Sequence, residues 1–304
     1  MQPVLITPET YERAAWLGSS DIGAVIGANP YRNRLDVWLD KVEPESRPDV
    51  DNNATRRGKR LEPVIIDWAA EDYGLEVVHR GRRFGLPEVR HASEIDAEYR
   101  EGRSLQNIEI KTAAPWLARE FTDAEDGLPL HYLAQTQWGL HVTGRDICRV
   151  FVWVGDVLKP YIIERDEGLI ALMVEEGNAF WSHYVEPRIA PAIEPEHVNV
   201  IETLKRMFPG TDGTTTTATP ADEHWYAVLQ QASEQRARYE AVETAAKAHL
   251  LETMGNHAQL VFEDGQALKR AIRNRKGYEV APTSYLDARI GKPAEEKATK
   301  GAKQ

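Results

Sequence analysis

Residues 105–115 read LQNIEIKTAAP, and their alternation of apolar and charged side chains constrains the fold more than any other stretch. Successive side chains of a strand point to opposite faces, so Ile108 and Ile110 share one face while Glu109 and Lys111 share the other. Such a charged pair is often only an exposed ion pair. Here other apolar strands surround the segment in sequence, which favours a central strand and makes the pair a candidate for chemistry.

Asp96 gives the pair a possible chemical role. It lies in SEIDAE, which we expect to be the end of the preceding strand, with Gly102 in the loop between. Adjacent strands would bring Asp96 next to Glu109 and Lys111, and Ile110 could add its carbonyl oxygen. Hard divalent ions prefer such oxygens, activate water and neutralise developing phosphate charge, and a lysine can position that water. These are the parts for hydrolysing a phosphodiester with Mg²⁺, although the spacing alone is common.

Two further polar residues lie on apolar helix faces. Glu62 belongs to LEPVIIDWAAEDYG, a predicted helix that ends at Gly74, and it points toward the apolar face or along its edge. A buried carboxylate needs a partner, and either a nearby arginine or a metal would serve. Gln135 shares a helix face with Trp138. By itself Gln135 is typical of a hydrogen-bonded core glutamine.

The order of the predicted elements indicates an α/β fold. Short N-terminal helices and the helix of Glu62 are followed by the strand-like segments EVVHRG, RFGLPEVRHASEIDAEY and LQNIEIKT. A helix, two strands and a final helix come next. Mixed elements in this order predict a central mixed sheet flanked by helices.

Beyond residue 204 the pattern changes. Residues 205–220 are rich in Thr, Gly and Pro, which predicts a linker or loop, and a helix with an apolar stripe follows. Asp264 and Gly265 predict the turn of a β-hairpin. We therefore expect an α/β core over 1–204, a linker over 205–220, a helix plus β-hairpin extension over 221–290 and a disordered tail over 291–304.

Bulk composition restricts the class of protein. The single cysteine excludes an intrachain disulfide framework and iron–sulfur ligation, and no apolar run approaches the ~20 residues of a membrane-spanning helix. With no signal-peptide pattern, a reducing cytoplasm and no membrane partner are expected. The formal charge of −11 argues against nucleic acid, but basic clusters at 56–60, 79–83 and 270–276 leave a local basic surface open.

Taken together, these segments resemble the lambda-exonuclease/YqaJ-like family of viral recombinases, within the PD-(D/E)xK nuclease superfamily. RAAWLGSSDIGAVIGANPY is similar to the family's N-terminal motif and RGKRLEP to its second motif. SEIDAEY with NIEIKTA resembles the catalytic core, and HYLAQTQWGLHVTGRD resembles the motif that follows. The collinear match over about residues 10–190 is far more specific than the spacing of one Asp, one Glu and one Lys.

The resemblance implies a restriction-endonuclease-like core and assigns roles to individual residues. Asp96 and Glu109 would be metal ligands, Glu62 the helical acid near the metals, Lys111 the catalytic lysine and Gln135 the active-site glutamine.

The family's N-terminal motif contributes a second kind of site. Arg13 and Ser20 would bind the DNA 5′-phosphate, next to a short helix that Ser19 or Ser20 could cap. The family often has Gly where this chain has Ala97. It also has Ser or Thr two residues before the aspartate, whereas Ser93 lies three before Asp96.

The expected function is that of a Mg²⁺-dependent exonuclease, with Mn²⁺ a possible substitute, which degrades double-stranded DNA 5′→3′ from its ends for recombination. As a phage or prophage protein in a bacterial host, it would form a ring, with a trimer favoured, and could recruit a single-strand-annealing recombinase. The channel wall would carry the four basic residues Arg56, Arg57, Lys59 and Arg60. The alternatives are a site- or structure-specific endonuclease on the same core and a catalytically inactive DNA-end-binding protein.

Overall fold

The computed structural model describes residues 1–47, 52–122 and 127–272. The chain divides into two compact units, Met1–Pro209 and Gly210–Gln304. The tail predicted over 291–304 and the last part of the extension predicted over 221–290 lie outside the described residues.

In the described part of the first unit, seven strands form one sheet. They are β1 Val4–Ile6, β2 Leu17–Gly18, β3 Glu76–Leu86, β4 His91–Glu101, β5 Ser104–Ala113, β6 Ile147–Val154 and β7 Val157–Glu164. Their order is β1-β3-β4-β5-β6-β7, and β2 pairs with the N-terminal end of β4. The β2–β4 and β5–β6 pairs are parallel and the other pairs are antiparallel. The sheet is therefore mixed, as predicted.

Helices cover both faces of this sheet. They are α1 Ser19–Val25, α2 Arg34–Val42, α3 Asn53–Tyr73, α4 Leu130–Thr143, α5 Glu167–Phe180 and α6 Val200–Met207. On one face α1, α2, α4 and α5 pack around the fully buried Trp138. On the other face α3 places Ile65 and Ile66 against Ile108 and Ile110 of β5. This α/β arrangement is the predicted fold class, and it leaves β5 central with both faces covered.

Helix α3 ends where its sequence predicts, but it begins at Asn53, upstream of the predicted segment LEPVIIDWAAEDYG. The Asn52 side chain accepts the Thr55 N–H at 2.9 Å at its start. Gly74 ends it with φ at 61°, in the left-handed region that favours glycine. Local capping chemistry thus sets the length of the helix that carries Glu62.

Two local predictions are corrected by the structure. The segment over 83–99, predicted as one strand, is divided by a turn at Pro87–Arg90, where Arg90 has φ at 57°. After this turn β4 runs from His91 to Glu101, so Asp96 lies inside β4 and not at a strand end. The α1 N-cap is Gly18 and not a serine, because the Gly18 N–H donates to the Asp21 carboxylate at 3.1 Å and the serines already lie in the helix.

The boundary of the first unit lies later than residue 204. Arg206 of α6 forms ion pairs with Asp36 at 3.1 Å and Asp40 at 2.7 Å, and these contacts hold the helix on α2. The predicted start of the linker, residue 205, therefore falls inside α6, which continues to Met207.

The described part of the second unit contains one long helix and a short hairpin. Helix α7 spans Pro220–Met254, and the strands β8 Gln259–Val261 and β9 Ala267–Lys269 pair as a hairpin. Gly265 in the turn has φ at 81°, which the predicted Asp-Gly turn requires. Among the described residues no helix has the length and apolar character needed to cross a membrane.

Candidate active site

The candidate site lies where β4 and β5 separate. Their pairing runs from Glu101↔Ser104 to Ala97↔Ile108 and stops there, so Asp96 is the first β4 residue beyond the paired region. The Ile110 N–H donates to Asp96 Oδ2 at 2.7 Å in place of a ladder partner on β4. The N–H and C=O of one strand residue point to the same edge, so the Ile110 carbonyl faces the same gap.

The regular alternation of β4 is interrupted at Asp96. Ile95 packs in the core cluster around Trp138, whereas Ala97, two residues further on, packs in the cluster beneath α3. Gly81 of β3 lies opposite Asp96, between the flanking register pairs, and has φ at 59°. The two strands therefore change face together at this point, which an alternating pattern cannot predict.

Glu109 and Lys111 share a strand face, as predicted, and α4 covers it. Glu109 is buried and its Oε1 accepts hydrogen bonds from Lys111 Nζ and from Gln135 Nε2, the latter at 2.6 Å. One turn earlier on α4, the Tyr132 ring centroid lies 5.2 Å from Lys111 Nζ. Gln135 is therefore more than a core glutamine, because it donates a hydrogen bond to the buried Glu109 carboxylate.

The site places three carboxyl groups, of which Glu109 is buried and Asp96 and Glu62 are partly buried, around one lysine. Burial and the neighbouring Glu109 charge raise the pKa of Asp96 well above its usual value. Burial, Glu109 and Glu94 raise the pKa of Glu62, which forms no ion pair within the described residues. Burial alone would lower the pKa of Lys111, but the Glu109 and Asp96 charges outweigh it and raise it. Lys111 is consequently a charged ammonium at neutral pH.

These donors fit a hard divalent cation. Asp96, Glu109, Glu62 and the Ile110 carbonyl supply only oxygen atoms, which Mg²⁺ prefers. Within the described part of the chain no three His, Cys, Asp or Glu side chains converge on one point. Asp96 and Glu109 each accept a hydrogen bond from a protein donor. The repulsion that raises the pKa of Asp96 is what a cation between the carboxylates would relieve.

One cavity of about 440 Å³ connects the acidic cluster to the N-terminal motif. It is lined by nine of the residues predicted from sequence: Arg13, Ser20, Lys59, Glu62, Asp96, Glu109, Ile110, Lys111 and Gln135. The other three basic residues of α3 line a separate surface cavity: Arg56, Arg57 and Arg60. The four basic residues predicted to form one wall therefore lie on two sides of α3, and of these four Lys59, one turn before Glu62, lines the cavity of the acidic cluster.

Arg13 and Ser20 are in direct contact. Arg13 Nη2 donates to Ser20 Oγ at 3.0 Å and to Asp21 Oδ1 at 3.1 Å. Asp21 is fully buried and also accepts from Arg32 at 3.0 Å and from Lys41 at 2.7 Å. Burial opposes ionisation of Asp21, but Lys41, Arg32 and Arg13 hold its pKa well below the usual value. Three cationic side chains thus contact the Asp21 carboxylate, which follows Ser20 of the predicted phosphate-binding pair.

We expect Asp21→Asn to lower the free energy of unfolding by about 3 kcal/mol, because it leaves the fully buried Lys41 ammonium without its counter-charge. Urea unfolding monitored by tryptophan fluorescence measures this. Asp67→Asn is the matched control, since Asp67 is an exposed partner of Arg80 and its loss should cost less than about 1 kcal/mol. Equal effects of the two substitutions would contradict the buried network.

Sequence reasoning missed Glu94, Arg83 and Tyr11, which also line the cavity. Glu94 lies two residues before Asp96 and forms an ion pair with Arg83, its register partner on β3. The Arg83 guanidinium lies 3.9 Å from the centroid of the Tyr11 ring. Glu94 occupies the position where the family often has Ser or Thr, and Ser93 also lines the cavity. Strand pairing was the missing information, because these residues are distant in sequence.

A central mixed sheet with Asp96 on one strand and Glu-x-Lys on the next defines the PD-(D/E)xK nuclease fold. Residues 11–146 match the YqaJ-like viral recombinase domain. This segment of the chain is therefore similar to the domain of that family.

Individual proteins are also similar to this chain. The chain is 25% identical over 205 residues to "Uncharacterized protein YqaJ" of Bacillus subtilis (strain 168), covering 66% of this chain but only 63% of that protein. LHK-Exo in complex with dAMP is similar in fold, with a TM-score of 0.50 and 23% identity over 65% of this chain and 95% of that one. An alkaline exonuclease (LHK-Exo) from Laribacter hongkongensis has a TM-score of 0.49 and 24% identity over the same shares.

Proposed function

We propose that this chain is a Mg²⁺-dependent exonuclease that degrades double-stranded DNA 5′→3′ from its ends and leaves single strands for recombination. The observation that carries the proposal is the shared cavity of about 440 Å³. It contains both a carboxylate–lysine cluster suited to phosphodiester hydrolysis and the Arg13–Ser20 pair suited to a terminal phosphate. The PD-(D/E)xK fold and the match of residues 11–146 to the YqaJ-like viral recombinase domain support a nuclease.

Each residue of the cluster has a role in this proposal. Asp96, Glu109, Glu62 and the Ile110 carbonyl would hold Mg²⁺, or Mn²⁺ as a substitute, which supplies charge neutralisation and water activation when bound. Lys111 is charged and partly exposed, so it can position the attacking water and stabilise negative charge on the phosphate. Gln135 holds Glu109 in place through its 2.6 Å hydrogen bond.

The phosphate-binding pair sets where cleavage occurs. A 5′-phosphate bound at Arg13 and Ser20 fixes the distance from the DNA end to the scissile bond. An endonuclease has no need for such an anchor. This pair therefore favours an exonuclease over an endonuclease on the same core.

The assembly is part of the same proposal. A homo-oligomeric ring, with a trimer favoured, would enclose duplex DNA and place Arg56, Arg57 and Arg60 on the channel wall. Only that wall needs to be basic, so the net charge of −11 is compatible with it. We place the protein in the cytoplasm of a bacterial host of a phage or prophage, with a single-strand-annealing recombinase as a partner. Light scattering under active conditions tests the ring, and a monomer would exclude it.

The decisive assay compares three DNA substrates in Mg²⁺ and in EDTA: a linear duplex with 5′-phosphates, the same duplex with 5′-hydroxyls and a covalently closed circle. Mg²⁺-dependent loss of the phosphorylated linear duplex, with the circle intact, is the expected result. Cutting of the circle would instead identify an endonuclease. Binding of ends without cleavage in any condition would identify an inactive end-binding protein.

A further inference from the structure

A second cavity, of about 760 Å³, adjoins the catalytic cavity. The two cavities share Arg13, Ser20 and Gln135, so any ligand bound at the predicted phosphate-binding pair lies at the border between them. The acidic cluster lies on one side of that border. The second cavity therefore offers space for a part of the terminal nucleotide other than its phosphates.

An aromatic wall, formed by Tyr31, His131 and Tyr132, lines this second cavity. The rings of Tyr31 and His131 have centroids 5.7 Å apart, and those of His131 and Tyr132 are 4.1 Å apart. Tyr132 continues the series to Lys111, whose Nζ lies 5.2 Å from its ring centroid. The wall thus leads from solvent to the catalytic lysine.

Tyr31 is half exposed, yet its backbone is held in place. The exposed fraction of Tyr31 is 51%. Its backbone N–H donates to Asn29 Oδ1 at 2.8 Å, and its carbonyl accepts a hydrogen bond from Asn199 Nδ2 of the α6 N-terminus. A large aromatic side chain on a fixed backbone, facing an open cavity, is preorganised to stack against a flat ligand.

The charges of this cavity favour an uncharged ligand group. Arg32 binds Asp21 at 3.0 Å and Asp40 at 2.9 Å. Arg206 binds Asp36 and Asp40 in the same way. These guanidinium groups are committed to internal carboxylates. Burial and the Lys111 charge lower the pKa of His131, so the wall is neutral at neutral pH.

We propose that the aromatic wall of Tyr31, His131 and Tyr132 receives the nucleobase of the 5′-terminal nucleotide by stacking, while the 5′-phosphate binds Arg13 and Ser20. This inference rests on the proposed function and adds that the second cavity binds the nucleobase of the terminal nucleotide. Every base has a π-face, so stacking retains the terminal nucleotide whatever its sequence.

The test uses two linear duplexes that carry the same 5′-phosphate, one with a normal terminal nucleotide and one with an abasic terminal residue. Single-turnover release of the first residue should be about 10-fold slower from the abasic end in wild type. Tyr31→Ala should slow the normal end to the abasic rate and leave the abasic rate unchanged. Tyr31→Phe should behave as wild type because it keeps the ring. Tyr239→Ala, at an exposed tyrosine of α7, is the control.

Equal wild-type rates on the two ends would overturn the inference, and so would an equal slowing of both ends by Tyr31→Ala. If wild type digests neither end in Mg²⁺, the proposed function fails, and binding of the same two duplexes decides the inference alone. Fluorescence anisotropy in EDTA would then show a preference for the intact base that Tyr31→Ala removes. Equal binding of both ends would exclude base stacking at this wall.

Discussion

Asp96→Asn should lower Mg²⁺-dependent nuclease activity by at least about 100- to 1,000-fold without destabilising the protein. The substitution removes the charge of a proposed metal ligand at the gap between β4 and β5. It keeps an oxygen that can accept the Ile110 N–H, which Asp96 now binds at 2.7 Å. Geometry at the strand gap is therefore preserved while the charge is lost.

The direction of the stability change follows from the raised pKa of Asp96. When the folded pKa lies above the unfolded one, the native state binds the proton more tightly, so the ionised carboxylate at neutral pH costs stability. A neutral amide removes that cost. In EDTA the variant should unfold at the wild-type temperature or above it.

Added Mg²⁺ should raise the unfolding temperature of wild type, because a ligand that binds only the native state stabilises it. Asp96→Asn should lose that rise together with activity. Glu101→Gln, an exposed acid further along β4, should retain both and serves as the control. Full activity in Asp96→Asn would refute the assignment of the catalytic cluster.

Arg13→Gln should slow digestion of 5′-phosphorylated ends by about 10- to 100-fold and leave 5′-hydroxyl ends nearly unaffected. Arg13 contacts Asp21, but Lys41 and Arg32 already neutralise that buried carboxylate. The positive charge of Arg13 is therefore in excess and is available to a phosphate at Ser20. The ratio of rates on the two ends measures this effect directly.

Arg100→Gln is the matched control, since Arg100 is exposed on β4 and pairs with Glu76. It should leave the ratio of rates on phosphorylated and hydroxyl ends at the wild-type value. If Arg13→Gln slows both ends equally, Arg13 has a structural role and the phosphate anchor lies elsewhere.

Local sequence was sufficient for features that depend on neighbouring residues. The alternation around Glu109 and Lys111 correctly placed both side chains on one strand face. Gly74 ends α3, as predicted. Such features follow from backbone geometry and capping, which a few consecutive residues control.

Local sequence was misleading where partner strands alter the pattern. Asp96 was expected at a strand end, but it lies within β4 where pairing to β5 stops. Gly81, fifteen positions earlier, lies opposite it with φ at 59°, and the strands change face there. No pattern within SEIDAE contains that information, since the register of two strands determines it.

The sequence by itself determined the α/β class, the shared face of Glu109 and Lys111 and the identity of the catalytic candidates, because periodicity and motif spacing are local properties. Only the tertiary structure decided that Lys41 and Arg32 neutralise Asp21 behind Arg13 and that Tyr31 closes an aromatic wall beside Lys111. These contacts join segments that are distant along the chain. They exist only because the sheet and its helices pack in one particular arrangement.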